Sequence, residues 1–252
     1  MSKPIIGIVT KYFPINLVGD PSVEPANWEF MRINAGVNNA VLNNGCLSIA
    51  VLPQHQTSKM SAGDEHKENQ ELTREEKEDI IAILEMCDGV ILPGGVHSNP
   101  YEEFIAKYCY KHNIPLLGIC AGMNVMARAL GGETVQIDEA DKHDRPDLKY
   151  AHKCKITDKN SFMAKCSEGK QVVEVNSIHT YVVSKLPEGL TAVAVDEDGH
   201  IEAFEAKDKD FFCAVKFHPE LLTDDLMCQN IFEAFTEACN IYHQKKTGEL
   251  NV

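Results

Sequence analysis

The chain has 252 residues, and its 24 lysines and arginines against 38 aspartates and glutamates leave a net charge of −14. With 44% hydrophobic and 25% charged residues, it reads as a globular protein rather than a disordered one. So acidic a surface repels phosphate backbones, which excludes nucleic acid as an expected partner.

No apolar run is long enough to span a bilayer. Ile5–Val9, directly after Met1-Ser2-Lys3-Pro4, is too short for a signal sequence, so a cytoplasmic protein is expected. That run reads as a buried strand, followed by a loop with Pro14, Pro21 and Pro25. Phe30, Ile33, Val37 and Val41 recur at helical spacing, and Asn43-Asn44-Gly45 stops the helix they predict. A second strand covers 47–52. Residues 54–69 read as a solvated loop in which His55 and His66 are surface residues.

Thr73-Arg74-Glu75-Glu76 is a capping box that opens a helix faced by Ile80, Leu84 and Cys87. A third strand over 89–92 ends in Pro93-Gly94-Gly95, a helix covers 101–112, and a fourth strand covers 115–119. Short apolar strands alternating with helices predict a parallel sheet covered on both faces. After Gly131-Gly132 strands follow one another, at 151–156, 172–175, 191–195, 201–206 and 212–217. Asp198-Gly199 is a hairpin turn between two of them. Thr223 or Asp224 caps a last helix that buries Ile231, Ala234, Phe235 and Ala238. With no linker and no repeat, residues 1–252 read as one domain.

The nine cysteines include no C-x-x-C pair and fit free thiols in a reducing compartment. One stands apart. In Gly118-Ile119-Cys120-Ala121-Gly122 a buried strand turns sharply into a helix, the cysteine version of a nucleophile elbow. The helix dipole there favours thiolate over a free-cysteine pKa of about 8.5. The competing reading is a structural cysteine at a strand–helix junction.

In Phe217-His218-Pro219-Glu220 a histidine and a carboxylate two residues apart point the same way from extended chain. Glu220 accepts from Nδ1 of His218 and leaves Nε2 for Cys120, which is a nucleophile–base–orienter set for acyl transfer. Pro93-Gly94-Gly95 lacks the spacing of a phosphate loop. The N–H groups of Gly95 and Ala121 are instead candidate oxyanion donors.

Leu92-Pro93-Gly94-Gly95, Gly118-Ile119-Cys120-Ala121-Gly122, Val175-Asn176-Ser177-Ile178-His179 and Phe217-His218-Pro219-Glu220, in that order, resemble the class I glutamine amidotransferase-like superfamily. Within it they look most like the γ-glutamyl-γ-aminobutyrate hydrolase branch. The resemblance implies a flavodoxin-like α/β sandwich with a mostly parallel central sheet. It also implies a Cys120–His218–Glu220 triad and a γ-glutamyl thioester intermediate, with no metal and no organic cofactor.

Gly94, Asn124, Asn176, Ser177 and His179 become candidate substrate contacts, with a structural role for His179 equally open. Ala121, Asn124 and Tyr181 stand where the family usually has arginine, glutamine and glutamine, and the loop 96–100 is short. His143 and His152 match family positions, and structural hydrogen bonding is expected of them ahead of metal binding.

The primary expectation is a stand-alone hydrolase of small-molecule γ-glutamyl amides. The alternatives are a glutaminase subunit serving a separate synthase, and a non-catalytic binding protein on the same fold. No pattern encodes the oligomeric state, so a homo-oligomer is left open. No membrane partner is expected.

Overall fold

The computed structural model describes residues 2–16, 27–54, 71–95, 99–138 and 140–249. The expected loop 54–69 with His55 and His66 lies outside them apart from Gln54, as do Pro21, Pro25 and residues 96–98.

The strands are β1 (Ile5–Val9), β2 (Lys11–Asn16), β3 (Asn27–Arg32), β4 (Leu47–Val51), β5 (Gly89–Leu92), β6 (Leu116–Ile119), β7 (Glu133–Gln136), β8 (His152–Ile156), β9 (Val172–Val175), β10 (Tyr181–Lys185), β11 (Thr191–Asp196), β12 (Ile201–Glu205) and β13 (Phe212–Val215). The helices are α1 (Ala35–Asn43), α2 (Arg74–Met86), α3 (Pro100–His112), α4 (Ala121–Ala129), α5 (Ala140–His143), α6 (Phe162–Cys166) and α7 (Leu226–Thr247), with a 3-10 turn at Pro219–Leu221.

Nine strands form the main sheet in the order β4-β1-β5-β6-β13-β12-β11-β8-β9. From β4 to β13 every neighbour is parallel, and from β13 to β9 every neighbour is antiparallel. The parallel half behaves as the apolar runs imply. In β6, Leu117 and Ile119 join the core on one face and Leu116 the core on the other. A strand buried on both faces has no polar alternation to show.

The capping box at Thr73 is present, with Thr73 N–H donating to Glu76 and Glu76 N–H donating to the Thr73 hydroxyl. Gly199, at φ +91°, makes the β11–β12 turn. No helix among the described residues is long and apolar enough to cross a membrane.

Three expectations are corrected. Phe30 belongs to β3 and Ile33 to the link that follows it, and the first helix begins only at Ala35 behind the cap Asn34. Pro14, expected in a loop, lies instead in β2, which among the described residues pairs only with β3, so that it is an edge strand of the kind that tolerates proline. The last helix is capped by Asp225, whose carboxylate accepts from Cys228 N–H at 3.1 Å. The neighbouring Asp224 is turned to Lys149.

Candidate active site

β5, β6 and β13 are adjacent parallel strands, and their carboxyl ends deliver Gly94, Cys120 and His218. Ligands in open α/β sheets gather at this edge. Cys120 is the residue between β6 and α4, held at φ 52° and ψ −106°, outside the ordinary regions for a side-chain-bearing residue. Its own N–H donates to Val215 O at 2.9 Å, which ties the elbow to the strand that leads to His218.

The tight turn requires Gly122, because a Cβ there would lie 1.9 Å from Leu92 O. Gly94 is as constrained. A Cβ on it would stand 2.5 Å from His218 Cε1 and 3.3 Å from Cys120 Cβ, so the loop after β5 packs directly on both reacting side chains. Gly95 rests on the aliphatic stem of Lys11, whose ammonium pairs with buried Glu102. Ala121 is the first helical residue of α4, where backbone N–H groups lack intrahelical acceptors.

His218 Nδ1 donates to Glu220 Oε1 at 2.8 Å. On its other side the imidazole interacts with Cys120 closely enough for each to shift the other's proton affinity. Burial pushes the Cys120 thiol up, but the charge and hydrogen bond of His218, helped by Lys216, pull it below its ordinary value. Burial likewise pushes His218 down, and Cys120 and Glu220 together raise it well above its ordinary value. The pair therefore favours thiolate and imidazolium. Every other cysteine is shifted the opposite way, with burial the largest cause each time. All nine are buried free thiols, and Cys120 alone is activated.

The expected substrate contacts are placed variously. Asn176 Nδ2 donates to His218 O at 2.8 Å and its Oδ1 accepts from His218 N–H at 2.7 Å. Both ends of the carboxamide are thus spent on clasping the histidine's main chain. Ser177 is fully buried and donates to His143 O at 2.7 Å. Asn124 accepts from Lys216 Nζ at 2.9 Å. Ile178 O lies 3.8 Å from Cys120 Sγ, so the 176–179 segment flanks the thiol. Tyr181 opens β10 and its hydroxyl donates to Gln136.

Lys216 was not singled out by its pattern, yet it is 1% exposed and helps stabilise the thiolate. Its burial lowers its own pKa. The only local signal is a lysine inside an otherwise apolar strand run.

His179, His143, His152 and Glu202 form a second buried polar group, and their candidate ligand atoms all lie within 4.8 Å of one another. Of the hydrogen bonding expected of His143 and His152, one bond is present, between His152 Nδ1 and Lys153 O at 3.4 Å. Neither ring nitrogen of His143, nor Nε2 of His152, has a hydrogen-bond partner. Burial pushes His179 down to about 2, keeping its imidazole neutral, and pushes Glu202 up to about 7.

Among known proteins, residues 99–220, just under half the chain, match the Peptidase C26 family, and that stretch contains Cys120, His218 and Glu220. The glutamine-hydrolyzing GMP synthase of Shewanella baltica is 36% identical over 141 residues, covering 53% of this chain and 26% of its own length. The CTP synthase of Chlamydia abortus is 28% identical over 199 residues, covering 66% of this chain and 37% of its own.

A crystal structure of a Thermoplasma acidophilum protein, assigned to GMP synthase as one of its subunits, superposes with a TM-score of 0.63 at 18% identity, covering 98% of this chain and 99% of that one. The glutaminase domain of Trypanosoma brucei CTPS, solved with acivicin bound, gives 0.60 at 19% identity, covering 93% and 94%. At those identities the likeness is one of fold.

The resemblance to the class I glutamine amidotransferase-like superfamily holds. The chain spans about a quarter to somewhat over a third of the curated synthases it matches. These matches support cysteine-dependent hydrolysis of an amide C–N bond as the superfamily's chemistry here, and they do not distinguish the γ-glutamyl-γ-aminobutyrate branch.

Proposed function

We propose that the chain, folded as one domain, is a cysteine-dependent hydrolase of small γ-glutamyl amides. The Cys120 thiolate attacks the δ-carbonyl carbon, and the oxyanion that forms is received by the N–H groups of Ala121 and Gly95. The C–N bond breaks as the His218 imidazolium gives its Nε2 proton to the leaving amine. Water then attacks the thioester with His218 as base, releasing glutamate and restoring the thiolate. Glu220 steadies the imidazolium throughout, and Asn176 holds the histidine's main chain rather than the substrate.

The observation that carries this reading is the lone lowered thiol, on a strained elbow, against a histidine already partnered by a carboxylate. A panel of γ-glutamyl amides and peptides tests it. Wild type should release glutamate from at least one, and Cys120→Ala from none. A Cys120→Ala protein that keeps its rate refutes the mechanism.

A second reading is favoured by one specific observation, that the curated relatives are GMP and CTP synthases. On that reading the domain is a glutaminase that hands ammonia to a separate synthase. Glutaminase rates with and without a candidate synthase separate the two. A rate that appears only with the partner supports the glutaminase reading, and a good rate alone supports the hydrolase.

A further inference from the structure

Behind the thiol, four elements converge their polar side chains on one point. His143 comes from α5, His152 from β8, Glu202 from β12, and His179 from the segment between β9 and β10. His143, His179 and Glu202 are 2%, 6% and 0% exposed. Seven atoms of the group have no hydrogen-bond partner: both ring nitrogens of His143 and of His179, Nε2 of His152, and both oxygens of Glu202. A buried carboxylate or imidazole without a partner loses its hydration with nothing in return, so this many together demand an explanation.

Ordinary ion pairing does not supply one. His179 Nε2 and His152 Nε2 lie 3.6 and 3.9 Å from Glu202 Oε1, too far for hydrogen bonds. That spacing instead suits atoms facing a common centre. A tetrahedral zinc ion with bonds of about 2.0–2.1 Å keeps its ligand atoms roughly 3.3 Å apart, so only small side-chain movements would close the set.

We propose that His143, His152, His179 and Glu202 form a structural site for one divalent transition-metal ion of the zinc class. Three imidazoles and a carboxylate are the donor chemistry such ions take, and four protein ligands leave no position open for substrate. Asp196, whose Oδ2 bonds His200 Nδ1 at 2.9 Å, stands 3.7 Å from His143 Nε2, beside the group but beyond hydrogen-bond reach of it.

The site braces the catalytic machinery from behind. His179 belongs to the segment in which Asn176 clasps His218, and Glu202 O accepts from Lys216 N–H at 2.8 Å on the strand that ends in His218. The ion would therefore fix the 176–179 segment to the sheet without touching substrate.

The test uses the full chain carrying Cys120→Ala, so that the active-site thiol cannot act as a ligand. The protein is stripped with a chelator and dialysed, then titrated with Zn2+ alone against a chromophoric competitor, with thermal melting in parallel. One equivalent should bind, and Tm should rise with zinc. Adding Glu202→Gln, nearly isosteric, or His152→Ala, at the most exposed ligand, should weaken binding by more than about 100-fold. Either a folded, stripped chain that takes up no stoichiometric zinc, or affinity unchanged in the folded Glu202→Gln protein, overturns the site. These readouts do not involve turnover, so they stand or fall independently of the proposed hydrolase.

Discussion

Two buried polar centres lie along this sheet, both combining histidine with glutamate, and they differ in how their atoms are partnered. In the first, His218 donates to Glu220 on one side and interacts with Cys120 on the other, Asn176 grips its main chain at both N–H and C=O, and only Oε2 of Glu220 is without a partner. In the histidine group behind it, three imidazoles and a carboxylate gather with seven atoms unpartnered. A histidine held by a carboxylate on one side and facing a thiol on the other is arranged to move a proton, whereas unpartnered lone pairs around a point are arranged to receive a cation. The contrast teaches that residue type alone does not separate a catalytic centre from a ligand cage; the partners of each nitrogen do.

The largest effect that sharpens this contrast is on the nucleophile. Cys120→Ala should lower kcat by about 10⁴-fold or more with the fold kept, as read by turnover and circular dichroism. Glu220→Gln should follow, with kcat down by about 10²–10⁴-fold, because the imidazolium loses its charge partner. Gly94→Ala should cost about 10- to 100-fold by pushing a methyl group against His218 Cε1. Asn176→Ala should cost a similar 10- to 100-fold in kcat, ~10 being the lower bound, with KM little changed. A rise in KM alone would instead return Asn176 to the role of substrate contact.

The smallest effect is the one on pH. Cys120 is lowered by the charge of His218 and His218 is raised by that of Cys120, and both shifts favour the thiolate–imidazolium pair. Alkylation of Cys120 by iodoacetamide should therefore reach its plateau at a lower pH than a free thiol of about 8.5 allows. The other eight cysteines, raised by burial, should lag at every pH near neutral. A sluggish Cys120 would favour the non-catalytic alternative.

The grouping of Cys120, His218 and Glu220 was legible in the sequence because each part sits in a contiguous motif: small residues around Cys120, and an i, i+2 pair at His218 and Glu220. The role of Asn176 was not, since its partner is the main chain of a residue 42 positions away. Glu202 and Lys216 were hidden for a related reason. Glu202 is one of two glutamates in β12 and Lys216 follows directly on β13, and the bond from Lys216 N–H to Glu202 O joins them only once those two strands pair. Phe30 shows the converse error, in which a residue of β3 happens to fall at helical spacing from the true face of α1, Val37 and Val41. The antiparallel half of the sheet was readable as strands, but its order across the sheet was not.

The most direct measurement is acid-quenched mass spectrometry of the wild-type chain during turnover of a γ-glutamyl amide that it hydrolyses. The account predicts a γ-glutamyl adduct on the peptide carrying Cys120, labile to hydroxylamine as a thioester is, and absent from the other eight cysteines. Turnover with no adduct on Cys120, or with one on a different residue, would contradict it.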